Sequence, residues 1–349
     1  MSAGFARVLS RTSFILGPEV AEFEAAFARF VGVPHCVGVA NGTDALELAL
    51  RALGIGAGDE VVVPTNSFIA SALAVARAGA TPVLADCEEA SLLVDPADVE
   101  RRLGPRTRAL LPVHLFGQVA AMERLLPLAA GRRIAIVEDA AQAQGAARHG
   151  RPAGGFGDVA GTSFYPGKNL GAYGDAGAVL TGSDEIAQRV RALRNYGSEV
   201  KYQHPETGFN SRLDTLQAVV LNAKLKRLAA WNADRVRAAQ RYDELLAGIP
   251  GLRLPATLPG NQHIWHLYVV RVPRRDAALA KLNEAGIGAG IHYPLPIHMQ
   301  GAFRHLGHRA GDFPVAERAA AEILSLPIFP GITPAQQERT ADVLRKALC

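Results

Sequence analysis

Residues 35–53 read HCVGVANGTDALELALRAL. A short apolar run ends in a small polar turn, Asn41-Gly42-Thr43-Asp44, and apolar residues at helical spacing follow. Strand, turn, helix is the unit of parallel sheets, and it leaves the first N–H groups of the helix free to face an anion. Gly42 and Thr43 are the candidate phosphate ligands there, although Thr43 or Asp44 as a plain N-cap accounts for the same residues. A dinucleotide-binding domain is excluded at this first unit, because NGTD stands where a G-x-G-x-x-G would be required.

The alternation continues outward from this unit. GDEVVVP (58–64), TPVLADC (81–87), TRALLPVHLFG (107–117) and RRIAIVEDA (132–140) read as strands. SFIASALAVARAG (67–79), DPADVERRL (95–103) and AMERLLPLAA (121–130) read as the helices between them. The expected fold is α/β, a largely parallel central sheet with helices on both faces. Ligands of such sheets gather at the carboxyl ends of the strands, where Asn41, Phe68, Asp139 and Gln142 fall. Residues 1–34 read as an N-terminal arm and then a helix from Pro18 that carries Val20, Phe23, Phe27 and Phe30. Residues 183–195 are expected to be helical, and 213–247 to be one long helix or two abutting ones, with Leu216, Val219, Val220, Ala223, Leu225 and Leu228 as a packing stripe. Past residue 250 the pattern becomes α+β. IWHLYVVRV (264–272) and IGAGIHYP (287–294) read as strands, and DAALAKLNEAG (276–286), FPVAERAAAEILSLP (313–327) and TPAQQERTADVLRKAL (333–348) as helices. A large domain over 1–249 and a smaller one over 250–349 are therefore expected.

With 49% apolar and 20% charged residues in 349, the chain has the composition of a soluble globular protein. A net charge of +4, without a Lys/Arg run interleaved with aromatics, gives no reason to expect nucleic acid. Cys36, Cys87 and Cys349 are odd in number and widely spaced, which argues against a disulfide framework or a zinc site and for a reducing compartment. No apolar run reaches the ~18 residues of a membrane span, so a cytoplasmic protein with no metal is expected.

The second informative stretch is DVAGTSFYPGKNLGAYGDAG, Asp158–Gly177. Lys168 sits among small residues that let backbone approach a ligand. A partly desolvated lysine can lose its proton and attack a carbonyl, so Lys168 is a candidate for a Schiff base with an aldehyde cofactor; a lysine that caps a turn is the plainer reading. A pyridoxal-type cofactor would also need a carboxylate at its ring nitrogen, donors for a phosphate and an apolar plate. Asp139, at the end of RRIAIVED, is the candidate carboxylate, although Glu138-Asp139 could equally be a strand-end pair that caps the next segment.

VEDAAQAQGA (137–146) with GDVAGTSFYPGKNLGAYGDAGAV (157–179) resembles the sugar aminotransferases of the DegT/DnrJ/StrS type, pyridoxal-phosphate enzymes of fold type I. FILGPEVAEFE, NGTDAL, GDEVVVPTNSFIAS, RNYGS, GFNSRLDTLQA and GIHYPLPIH extend the resemblance over the whole chain. It implies pyridoxal 5′-phosphate, with Lys168 as Schiff-base lysine and proton carrier, Asp139 on the pyridine nitrogen and Gln142 on the ring hydroxyl. Phe68 would stack on the ring. Gly42, Thr43 and Ser163 would hold the phosphate, and Asn210 would reach the phosphate of a neighbouring subunit in a homodimer. The implied substrates are L-glutamate and a dTDP-linked ketosugar. Arg212, Lys201, Arg194, His292 and Tyr293 lie in segments expected to face the mouth of the site, where each could instead be a solvated or structural residue. Members with histidine at the lysine position act as dehydratases, so Lys168 favours amino transfer. Residues 195–218 resemble members that act on 3-keto-6-deoxyhexoses; 4-amination, a sugar dehydratase and a non-catalytic regulator are the alternatives.

Overall fold

A computed structural model describes residues 1–348. Helices α1 (Ser2–Arg11) and α2 (Pro18–Val31) precede β1 (His35–Val39), so the expected N-terminal arm is itself partly helical. There follow α3 (Gly42–Ala52), β2 (Glu60–Pro64), α4 (Ala70–Ala78), β3 (Thr81–Ala85), α5 (Pro96–Arg102), β4 (Thr107–Leu110), α6 (Met122–Ala129) and β5 (Ala135–Asp139). The short strands β6 (Ala147–Arg148) and β7 (Arg151–Pro152) lead to β8 (Val159–Ser163), β9 (Gly177–Thr181), α7 (Asp184–Leu193) and the 32-residue α8 (Thr215–Leu246). The C-terminal part holds β10 (Asn261–Gln262), β11 (Tyr268–Arg271), α9 (Arg275–Glu284), α10 (Pro314–Glu322), β12 (Ile323–Leu326) and α11 (Pro334–Leu348).

Seven strands form the central sheet in the order β1-β9-β8-β5-β4-β2-β3. All are parallel except β9, which runs against both β1 and β8. The exception matters for position. An antiparallel pair is joined at one edge of the sheet, so the connection from β8 to β9 never leaves the carboxyl edge. Asp139 is level with Gly161 on β8, and Ser163 is level with Gly177 on β9. The Lys168 segment therefore loops out just above the end of β5.

Two differences from the sequence reading share one cause. ILSL, read as the end of a helix, is β12 and pairs with β11; short apolar runs have no period that separates buried strand from buried helix. Residues 287–294 form no strand and contribute a single bridge, Gly290 to Ser325. Likewise β4 stops at Leu110, and Leu115–Gly117 turn as a 3-10 helix.

Two aromatic residues of α2, Phe23 and Phe27, each meet Phe164 edge-on at 5.2 Å, and this cluster underlies the Lys168 loop. A second core gathers Tyr242 and Leu246 of α8 with Trp265, Tyr268, Leu282, Leu324 and Leu344. On this packing we propose a division near residue 250, with the last turns of α8 walling the C-terminal unit.

The N-terminus of α3 is pressed against the β8–β9 hairpin at two glycines. A Cβ on Gly177 would stand 2.4 Å from the Asn41 carbonyl, and one on Gly42 would stand 2.6 Å from Ser163 Cβ. Gly177→Ala is therefore expected to destabilise the fold by about 1–3 kcal/mol, measured by urea unfolding. Gly182→Ala, whose Cβ would meet nothing within 4 Å, is the control. Equal midpoints for the two variants would contradict the close approach.

Candidate active site

The anion-facing turn is built by Asn41. Its Oδ1 accepts the Asp44 N–H at 2.8 Å and its carbonyl accepts the Ala45 N–H at 3.0 Å. Asn41 is thus the N-cap, in place of Thr43 or Asp44, and among the described residues the N–H groups of Gly42 and Thr43 have no partner. Asp44 is turned aside, bound by Ser211 Oγ at 2.8 Å and Arg77 at 3.2 Å. Ser163, half-buried, closes the cradle from the sheet side.

Successive residues of a strand face opposite sides, which separates the two acids at the end of β5. Glu138 is fully buried. It accepts from His114 Nε2 at 2.7 Å and from the N–H groups of Gly154, Phe156 and Gly157 at 2.7–2.8 Å. His114 Nδ1 accepts the Ala120 N–H at 3.2 Å, so Nε2 carries the proton. Burial pushes the Glu138 carboxyl up, but His114 and these N–H groups outweigh it and hold it below the usual range. Glu138 therefore fulfils the structural reading of the acidic pair. Asp139, 6% exposed, faces the other way. Ser67 donates to Ser71, and Ser71 donates to Asp139 Oδ2 at 2.7 Å; Oδ1 accepts the Ala141 N–H at 3.1 Å. Both oxygens are acceptors, as suits an ionised carboxylate.

Gln142 is oriented by the Phe116 N–H, which donates to its Oε1 at 2.6 Å, and Gln142 Nε2 donates to Tyr293 Oη at 3.1 Å. The Tyr293 ring lies 5.2 Å from Phe68, which is 50% exposed at the mouth. Burial, then the charge of Asp139, pushes the Tyr293 phenol up. Lys168 donates its backbone N–H to Tyr165 O at 2.8 Å. Burial pushes its amine below the usual lysine value, opposed by Asp139. Buried His266 and half-buried His292 are pushed down by burial and then by the charge of Lys168, so both imidazoles share its neighbourhood.

The fold thus gathers Gly42, Thr43, Phe68, Asp139, Gln142, Ser163, Lys168, His292 and Tyr293 at one edge. His292 Nδ1 lies 2.8 Å from Ser325 Oγ. Asn210 is exposed beside the α3 N-terminus, to which its neighbour Ser211 is bonded. Arg212 donates to Asn195 Oδ1 at 3.2 Å and stacks on Tyr196. Lys201 is exposed and lies over the Tyr202 ring, so the structure does not bring it to Lys168. Arg194 is a structural residue: buried, it binds Glu24 at 2.6 Å and the Gly38 carbonyl at 2.7 Å. Sequence reasoning missed Ser71, although it lies inside TNSFIAS one turn beyond Phe68. His266 was missed too, for lack of any local signal.

A fold type I α/β sheet with a desolvated lysine over a buried carboxylate is the architecture of an aminotransferase. The model of the DegT/DnrJ/EryC1/StrS aminotransferase family matches residues 2–345, and the chain belongs to that family. It is 50% identical over 344 residues to a dTDP-3-amino-3,4,6-trideoxy-alpha-D-glucose transaminase of Streptomyces venezuelae, across 99% of this chain and 91% of the relative. The solved structure of S. venezuelae DesV with a ketimine intermediate superposes with a TM-score of 0.96 at 50% identity, covering 99% of this chain and 93% of that one. NtdA of Bacillus subtilis, solved with bound cofactor PMP, gives a TM-score of 0.92 at 31% identity, covering 99% and 80%. Among the described residues no helix is long and apolar enough to cross a membrane.

Because Asp139 holds the Lys168 amine up against the effect of burial, Asp139→Asn should lower the Lys168 pKa further. Acylation of Lys168 in cofactor-free protein, followed by peptide mass spectrometry across pH, should then begin at lower pH. A rise in the apparent pKa would contradict the opposition of these two groups.

Proposed function

We propose that this protein transfers the amino group of L-glutamate to carbon 3 of a dTDP-linked 3-keto-6-deoxyhexose, with pyridoxal 5′-phosphate as cofactor. The observation that carries the reading is the desolvated amine of Lys168, pushed below the usual lysine value by burial, beside the buried Asp139. The donor set suits the cofactor: two unpartnered helix N–H groups, a serine hydroxyl, an ionised carboxylate, an exposed aromatic face and an oriented amide. When bound, the cofactor supplies an electron sink, which requires its ring nitrogen to stay protonated.

The residues then have these tasks. Asp139, kept an acceptor by Ser71 and Ala141, would hold the proton on the ring nitrogen. Gln142 would donate to the ring hydroxyl, and Phe68 would offer the ring an apolar face. Gly42, Thr43 and Ser163 would donate to the phosphate, on the positive end of α3. Lys168 Nζ would hold the cofactor, and it would remove and return the proton at the substrate carbon as general base and acid. His292, Tyr293 and Arg212 would meet the nucleotide sugar; Lys201 would need its loop to move. The name of the S. venezuelae relative supports carbon 3, with amination at carbon 4 as the alternative. Lysine, in place of histidine, at 168 disfavours dehydration.

A homodimer accords with the surface. Phe14, Ile15, Leu16, Tyr173 and Tyr196 are exposed. Phe14 and Tyr173 bond to Thr215 and Gln217, so this apolar face surrounds the segment from which Asn210 emerges. A second copy seated there would receive Asn210 at its cofactor phosphate.

Purified protein given pyridoxal phosphate should gain a visible absorption band that L-glutamate bleaches, and Lys168→Ala should lack the band. A wild-type protein that stays colourless would overturn the proposal. With a panel of 3-keto and 4-keto dTDP-sugars, the aminated product should carry nitrogen at carbon 3 by NMR; nitrogen at carbon 4 would select the alternative. In sedimentation the wild type should run as a dimer and Ile15→Arg should shift towards monomer, while a wild-type monomer would refute the shared site.

A further inference from the structure

Lys168 ends a turn whose other members, Tyr165, Pro166 and Gly167, are exposed. The next residue, Asn169, is buried, and its amide is bonded at both ends. Nδ2 donates to Asn232 Oδ1 at 2.9 Å and to the Ile264 carbonyl at 3.2 Å; Oδ1 lies 3.1 Å from His266 Nδ1. An amide oxygen has no hydrogen to give, so His266 Nδ1 must be the donor. Two further residues secure this cluster. Asn232 Nδ2 donates to the Gln144 carbonyl at 2.9 Å. Arg235, three residues on in α8, donates from Nη1 to the carbonyls of Trp265, His266 and Ile328 at 3.0–3.2 Å. Burial lowers the Arg235 pKa to about 10, and these carbonyls are its solvation. They also fix the backbone on which His266 stands.

We propose that Asn169 and His266 are positioning residues for Lys168: the amide–imidazole pair clamps the backbone on the C-terminal side of the lysine to helix α8 and so holds the amine over Asp139. The inference rests on the reading of Lys168 as the reactive lysine. His266 acts in it as a hydrogen-bond donor. Its burial, together with the charges of Lys168 and Arg235, keeps the imidazole neutral. A neutral donor of similar reach should therefore replace it, and an apolar side chain should not.

The test compares His266→Gln, His266→Leu, Asn169→Leu and the double leucine variant of the full-length protein. In His266→Leu the loosened turn lets the amine into water. The Lys168 pKa, read from acylation of cofactor-free protein, should rise towards the ordinary lysine value. In cofactor-loaded protein, bleaching of the visible band by L-glutamate should slow on the order of 10- to 100-fold, with the KM for the nucleotide sugar unchanged. Asn169→Leu, which also loses the bonds to Asn232 and Ile264, should slow bleaching at least as much, and the double variant should be no worse than Asn169→Leu, because that variant already lacks the one bond that His266→Leu removes. His266→Gln should restore the wild-type pKa and rate. The proposal is overturned by a His266→Leu protein with wild-type pKa and rate, or by a glutamine variant as impaired as the leucine one. Should His266→Leu fail to fold, Asn169→Ser and His266→Gln bear the test: the first must slow bleaching and raise the pKa, the second must not. A wild type that takes up no pyridoxal phosphate would sink the function proposed above, while the titration in cofactor-free protein still tests the clamp.

Discussion

The site depends on the reversal of one strand. With β9 antiparallel to β8, the chain returns along the carboxyl edge of the sheet, and the connecting loop must lie where β5 ends. A parallel crossover would have carried the chain to the opposite edge and left Asp139 without a lysine above it. The reversal also builds the phosphate cradle. Only glycine at 177 and 42 lets the α3 N-terminus approach the hairpin closely enough for Ser163 and the free N–H groups to face one ligand.

Electrostatics then divides labour between two adjacent acids of one type. Glu138 is enclosed by a histidine and three backbone N–H groups, which leaves it no capacity for chemistry and makes it the fastener of the 154–157 turn. Asp139 receives one hydroxyl and one N–H, and keeps unused lone pairs facing the site. The neighbouring amine is pulled two ways, down by burial and up by Asp139. Burial eases the loss of the proton and Asp139 eases its return, so the two opposed influences suit one amine to act as base and as acid.

Much of this was legible in the sequence. The alternation from His35 to Asp139 predicts the parallel strands, because each βα unit carries its own apolar run and its own turn. NGTD, TNSFIAS and the segment around Lys168 mark the strand ends that converge. What was not legible depended on contacts between distant segments. ILSL reads alike as helix end or strand, and only pairing with β11 decides it. Arg194 looked like a rim residue until folding put Glu24 and Gly38 around it. The N-cap at Asn41 in place of Thr43 is a matter of two residues of register, and propensity does not separate the two.

His266 and Tyr293 show why the C-terminal unit belongs to the site as more than a lid. Tyr293 closes on Phe68 and Gln142, which belong to the large unit, while His292 is bonded to Ser325 of the small core. Trp265 and Tyr268 belong to that core too, and the stretch between them carries His266, which meets Asn169 beside the lysine. Arg235 binds both this stretch and Ile328 from a helix that runs through both cores. The site therefore draws on both cores: His266 and His292 stand on the C-terminal one, and Asn169 and Gln142, which His266 and Tyr293 meet, stand on the other.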